Sequence, residues 1–191
     1  MTWPNIKLNK ALQQIEDVIL FGSSVRGKEK PGDTDVLVLF KAKVDKEAEY
    51  LVRKELEKNF KNVSIISKTV NSVYESTFDA REAFLFEGVS LVSKKKIADK
   101  FGFTAWGLFK YNFKNWNKLT KTKFYYALNG RGSSVGILSQ LGGIKLSDEM
   151  ILIHLDKIEP LKDFLASWKC SYQYFPILLP ERFNKKNILE Q

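Results

Sequence analysis

The chain is short of the residues on which several function classes depend. It has one cysteine, Cys170, and one histidine, His154. A single cysteine makes no internal disulfide, and no Cys/His cluster is present to bind zinc. A stapled secreted domain and a zinc protein are therefore excluded. His154 lies in an apolar run and reads as a structural residue, which leaves no histidine-dependent triad. Cys170 reads as inert. Apolar runs such as residues 151–153 and 177–179 fall far short of the roughly 20 residues that a membrane helix needs. The first ten residues show no basic stretch followed by an apolar core, so no secretory leader is visible. The expectation is a cytoplasmic protein with no membrane partner.

What is present is the balance of a globular protein. The 191 residues are 44% hydrophobic and 28% charged, enough for one ordinary domain or two small ones with a real core. Lys and Arg number 31 against 22 Asp and Glu, a formal net charge of +9. The excess is local. Residues 94–131 hold ten cations (Lys94, Lys95, Lys96, Lys100, Lys110, Lys114, Lys118, Lys121, Lys123 and Arg131) and one acid, Asp99. Outside that window the chain carries 21 charges of each sign. The window also holds ten aromatic residues, Trp106, Tyr111 and Trp116 among them. Cations neutralise phosphates and flat rings stack on unpaired bases, so the mixture suits single-stranded RNA or DNA. Alternation at Phe109, Tyr111 and Phe113 equally fits a half-buried strand, with the rings in a core and the lysines solvated. An acidic protein is the other polyanion such a face would take.

Periodicity predicts a loose helix over residues 5–17, a strand over 18–21 stopped by Gly22-Ser23, and a loop over 28–32. A buried strand over 33–40 follows, then a helix over 45–58 capped by Asp45, a strand over 63–67, and a helix over 76–87 ending at Gly88. Beyond Gly88 the pattern changes. A strand over 89–92, a short helix over 94–100, and a bent strand or hairpin over 103–113 precede a helix over 119–128. The glycine-rich stretch 130–143 carries a helical fragment at 137–141; its start, Gly130 to Gly136, reads as a flexible connection or a phosphate contact. Strand, helix and strand close the chain at 150–155, 160–168 and 172–179. The expected organisation is a domain over 1–93, a basic, aromatic-rich α+β domain over 94–180, and a polar tail over 181–191.

The chemistry concentrates between Leu20 and Leu39. Gly22 and Ser23 follow an apolar strand, and nine residues separate Ser23 from Asp33 and Asp35 at the head of another. A glycine lets backbone amides approach a phosphate without a side chain in the way. The Ser23 hydroxyl can donate to a phosphate oxygen, and Arg26 can add a charge-assisted contact or brace the loop. Positions i and i+2 of a strand point the same way, so Asp33 and Asp35 share a face. Paired carboxylates of this kind suit hard divalent cations, magnesium or manganese, which hold a nucleoside triphosphate.

This segment resembles the signature of the DNA polymerase beta nucleotidyltransferase superfamily, Gly-Ser followed at this distance by Asp-x-Asp. It is most similar to the minimal nucleotidyltransferases of archaea and bacteria, whose Gly-Ser-x-x-Arg-Gly corresponds to Gly22, Ser23, Arg26 and Gly27. Residues 84–91 (Phe-Leu-Phe-Glu-Gly-Val-Ser-Leu) are similar to the segment that closes that domain, so the likeness covers residues 5–93. It implies an α/β (α+β) fold, a mixed sheet flanked by helices, and metal-dependent transfer of a nucleoside monophosphate from an NTP such as ATP to a hydroxyl acceptor. Asp33 and Asp35 would be the catalytic and metal-binding pair, with Gly22, Ser23 and Arg26 on the nucleotide. Lys110, Lys114, Lys118, Lys121, Lys123 and Arg131 would meet a nucleic-acid acceptor. One position departs from the pattern. Active members carry a third carboxylate on the next strand, where this chain has Ser64 or, with a shifted register, Asn62. Neither serves as a base near neutral pH. Glu75, Asp79 or Glu82, on the segment that follows, is the acid that would have to reach in instead. The alternative is a protein of this fold that binds nucleic acid or a protein partner without turnover.

Overall fold

A computed structural model of the chain describes residues 6, 9–28, 32–114 and 116–184. The chain divides into two compact units, Met1–Phe103 and Thr104–Gln191. Among the described residues no helix is long and apolar enough to cross a membrane.

In the first unit, β1 (Ile15–Phe21) and β2 (Thr34–Phe40) are nearly continuous apolar runs, as strands buried on both faces must be. Helix α1 (Lys46–Glu57) crosses from β2 to the parallel strand β3 (Val63–Thr69). Asp45 caps it, accepting from the backbone amides of Glu47 at 2.9 Å and Ala48 at 3.1 Å. Ala48, Val52 and Leu56, four residues apart, form its buried stripe. After a 3-10 turn at Ser72–Tyr74 come α2 (Arg81–Glu87), β4 (Val89–Ser90) and α3 (Ile97–Lys100). The sheet order is β3-β2-β1-β4, with β2 and β4 antiparallel to β1, a mixed sheet as expected. Ile19, Phe21, Leu37, Val73, Phe78, Phe84 and Ile97 pack into one core cluster.

Two elements differ from the sequence reading. The helix over residues 5–17 is replaced, among the described residues, by a 3-10 turn at Lys10–Leu12 and a strand that begins at Ile15. Asp17 is what hid the strand, because a carboxylate rarely points into a core. Here Ser90 Oγ, the Val18 amide and Lys100 Nζ donate to it at 2.6, 2.8 and 2.8 Å. The helix expected over 76–87 shortens to α2, because Phe78 turns into the core and stacks with Phe84, ring centroids 6.0 Å apart.

The second unit is built on β5 (Phe103–Asn112), a single strand rather than a hairpin. Helix α4 (Lys118–Asn129) follows, stopped by Gly130 at φ +92°. A short hairpin, β6 (Gly130–Arg131) with β7 (Ser134–Val135), leads to α5 (Ile137–Gln140). Strand β8 (Ile144–Ser147), not expected from sequence, pairs antiparallel with β9 (Met150–His154). Helix α6 (Ile158–Ser167), β10 (Ser171–Pro180) and α7 (Glu181–Asn184) complete the unit. Its sheet runs β10-β5-β9-β8. The glycines after α4 serve close approach: a Cβ on Gly136 would strike the backbone of Leu128, Asn129 and Gly130. The connection closes as a short hairpin whose residues 131–135 are exposed. His154 stacks on Trp106 at 3.6 Å in the sheet, consistent with its structural reading. The start of the expected N-terminal helix, the middle of the 28–32 loop and most of the 181–191 tail lie outside the described residues.

Cys170 is buried, and its thiol donates to the Asn112 carbonyl at 3.7 Å. Burial pushes the thiol up to about 11. Since the thiolate is the reactive form, labelling at pH 8 is expected to run at least about 100-fold slower than in the denatured chain. Because the folded value is the higher one, the associated stability is complete below about pH 9 and is lost as pH rises towards 11. Labelling kinetics with and without urea check this; equal rates would show an open thiol.

Candidate nucleotide site

The site forms where β1 ends and β2 begins. Antiparallel pairing sets Phe21 opposite Asp35, so the turn after β1 folds over the head of β2. Gly22 starts that turn at φ +82°, and the amides of Val25 and Arg26 return to its carbonyl at 3.1 and 3.4 Å. A Cβ on Gly22 would collide with the Asp35 carboxylate. Glycine is thus required twice here, by backbone conformation and by the approach of an acid. Ser23 is half-buried on the turn, while Ser24 is buried and donates to the Phe21 carbonyl at 3.3 Å.

Asp33 is exposed and Asp35 half-buried, with Thr34 buried between them and bonded to the Lys61 carbonyl at 3.3 Å. Burial first, then the charges of Asp33 and Glu87, hold the Asp35 carboxyl above its ordinary value, while Arg26 pulls it down. Parallel pairing sets Ser64 directly beside Asp35 on β3. The register therefore makes Ser64 the neighbour. Asn62 lies ahead of the strand and donates from Nδ2 to the Gly32 carbonyl at 2.8 Å, bracing the approach to Asp33.

Glu87, the last residue of α2, enters the site although sequence reasoning did not single it out. It is 6% exposed. Its Oε2 accepts from the Gly22 amide at 2.8 Å, and its Oε1 from Arg26 Nη1 at 2.6 Å. Arg26 thus braces the loop in this structure, the second of its two expected roles. An acid inside the apolar stretch 84–89 was the available signal. Glu75, Asp79 and Glu82 are exposed. Among the described residues no group of three or more His, Cys, Asp or Glu is arranged to hold a metal.

The basic candidates all belong to the second unit. Lys114, Lys118, Lys121, Lys123 and Arg131 are exposed on α4, its approach and β6. Lys110 is exposed too, but alternation along β5 turns it away from Tyr111, whose ring packs at 5.8 Å on Phe124 of α4. The six cations do not form one face. The rings expected to stack on bases are largely core. Trp106 is 3% and Tyr111 1% exposed, and Trp116 packs on Phe113, Phe124 and Trp168.

Residues 6–96 match the family model "Polymerase beta, Nucleotidyltransferase". No curated protein and no solved structure matches the chain. The Gly22-Ser23 turn, the Asp33/Asp35 pair on β2 and the mixed sheet beneath them all fall inside the matched segment, and residues 6–96 are a domain of the DNA polymerase beta-like nucleotidyltransferase superfamily.

Proposed function

We propose that this protein transfers a nucleoside monophosphate from a nucleoside triphosphate to a hydroxyl on a nucleic-acid acceptor, slowly, because one acid of the usual set is a serine. The observation that carries the reading is Asp35, pressed against Gly22 and crowded by the charges of Asp33 and Glu87. Crowded carboxylates of this kind gain from a cation placed between them. Asp33 and Asp35 fit one magnesium or manganese ion; the arrangement for a pair lacks the acid that Ser64 replaces. Bound there, a divalent ion would neutralise triphosphate charge and withdraw electrons from the reacting phosphorus. The chain's own contribution is positional. Gly22 lets the Asp35 carboxylate come up against the turn, the Ser23 hydroxyl donates to the triphosphate, and Glu87 with Arg26 fixes the turn against α2. The acceptor oxygen bonds to the α-phosphorus as the bond to pyrophosphate breaks, and the hydroxyl proton leaves to solvent, since Ser64 is no base at neutral pH.

The serine equally supports a second reading, a binder of nucleotide and nucleic acid without turnover. Calorimetry tests what the two readings share. Magnesium is expected to tighten triphosphate binding about tenfold, and Asp35→Asn to remove most of that gain. Equal, metal-independent binding by both proteins would remove the assignment.

A further inference from the structure

We infer that the cleft beside α4 in the second unit is a binding site for single-stranded nucleic acid, in which Tyr125 and Tyr126 stack on unpaired bases. The inference deepens the acceptor half of the proposed function and rests on that reading for its role, although binding itself needs no turnover.

The cleft has a volume of about 450 Å³, within the range of small-ligand sites. Tyr111, Phe113, Phe124, Tyr125 and Tyr126 line it, together with Lys121. Helix α4 anchors itself by little, since only Phe124 and Leu128 are fully buried. Its outer positions carry Tyr125, 50% exposed, and Tyr126, 37% exposed, with their rings 6.1 Å apart. Each sits under a cation: Lys145 Nζ lies 5.0 Å from the Tyr125 centroid and the Arg131 guanidinium 4.6 Å from that of Tyr126. Lys121 lies 6.0 Å from the Phe113 ring.

A nucleotide presents a flat base and an anion a few ångströms apart, and this surface repeats that pairing of ring and cation. Charge supports the same occupant, for residues 110–131 hold six cations and no acid. Asp148 also lines the cleft and pairs with Lys145 at 2.7 Å, so the phosphates belong near Lys121, at the start of α4, and near Arg131, beyond its end. A duplex does not fit the role, because its bases are already stacked.

The test is fluorescence anisotropy of the full chain with a labelled oligouridylate of about 12 nucleotides, without triphosphate and with chelator. Tyr125→Ala/Tyr126→Ala is expected to weaken binding about tenfold or more with an unchanged salt slope, and the double Phe variant to restore it. Lys121→Ala/Arg131→Ala should flatten the log–log salt slope by roughly 1.4, about 0.7 per lost phosphate contact. Tyr50→Ala, at an exposed tyrosine on α1 with Lys54 4.7 Å from its ring, is the matched control and should change nothing. Asp33→Ala/Asp35→Ala should bind the strand like wild type, so failure of transfer and failure of binding are read separately. Wild-type affinity in the double alanine variant would overturn the inference, as would equal competition by duplex or inorganic polyphosphate. Absence of salt-sensitive binding would overturn it too, and would leave an acidic protein as the partner of the basic segment 110–131.

Discussion

Replacing Ser64 by aspartate is expected to raise the rate of nucleotidyl transfer by about 100-fold. Parallel pairing of β2 with β3 sets position 64 directly beside Asp35, and Ser64 is exposed there. A carboxylate at that position could take the proton of the attacking hydroxyl, a contribution typically worth 10²–10⁴ in rate. It would also bring another negative charge to a site where burial, and then Asp33 and Glu87, already hold the Asp35 carboxyl above its ordinary value. The variant should therefore be less stable than wild type without metal, and gain more in melting temperature from magnesium. The measurement is label transfer from α-labelled triphosphates to total RNA, with Ser64→Asp/Asp35→Asn as the control that should return to background. No rise in rate, with triphosphate affinity retained, would argue for the binding reading.

The second large effect concerns stability. Glu87→Ala should destabilise the full chain by about 2–4 kcal/mol in urea unfolding, because it strands the buried Gly22 amide and breaks a shielded ion pair. The Gly22 amide would lose its buried acceptor at 2.8 Å, and the Arg26 guanidinium its contact with Glu87 at 2.6 Å. Both side chains of the ion pair are mostly shielded, at 24% and 9% exposure, so solvent replaces little of what is lost. Glu87→Gln keeps an acceptor for the amide and the same shape, so it should cost about 1 kcal/mol. A cost below about 0.5 kcal/mol for the alanine variant would show that the turn is held by its own backbone bonds.

The strands that carry the site were legible in the sequence because their signals are local. Val36 to Val38 and Val18 to Leu20 are apolar without interruption, and Gly22-Ser23 and Asp33/Asp35 sit where such strands end and begin. Asp45 announced α1 for the same reason, since a cap acts within three residues. Local composition also placed the charge excess in residues 94–131. Contacts made across the chain were out of reach. Glu87 meets Gly22 across 65 residues, and only folding joins them. Asp17 looked unfit for a strand until Lys100, 83 residues on, supplied its counter-charge. The ten rings of the basic window are chemically alike in a list. Which of them stay wet depends on where β5 and α4 meet, and that contact buries Tyr111 and Phe124 while leaving Tyr125 and Tyr126 outside. Sequence by itself determined the nucleotidyltransferase segment, the strand-borne acids and where the excess positive charge sits. Tertiary structure alone decided which of those side chains stay exposed, because burial belongs to pairs of surfaces and not to single segments.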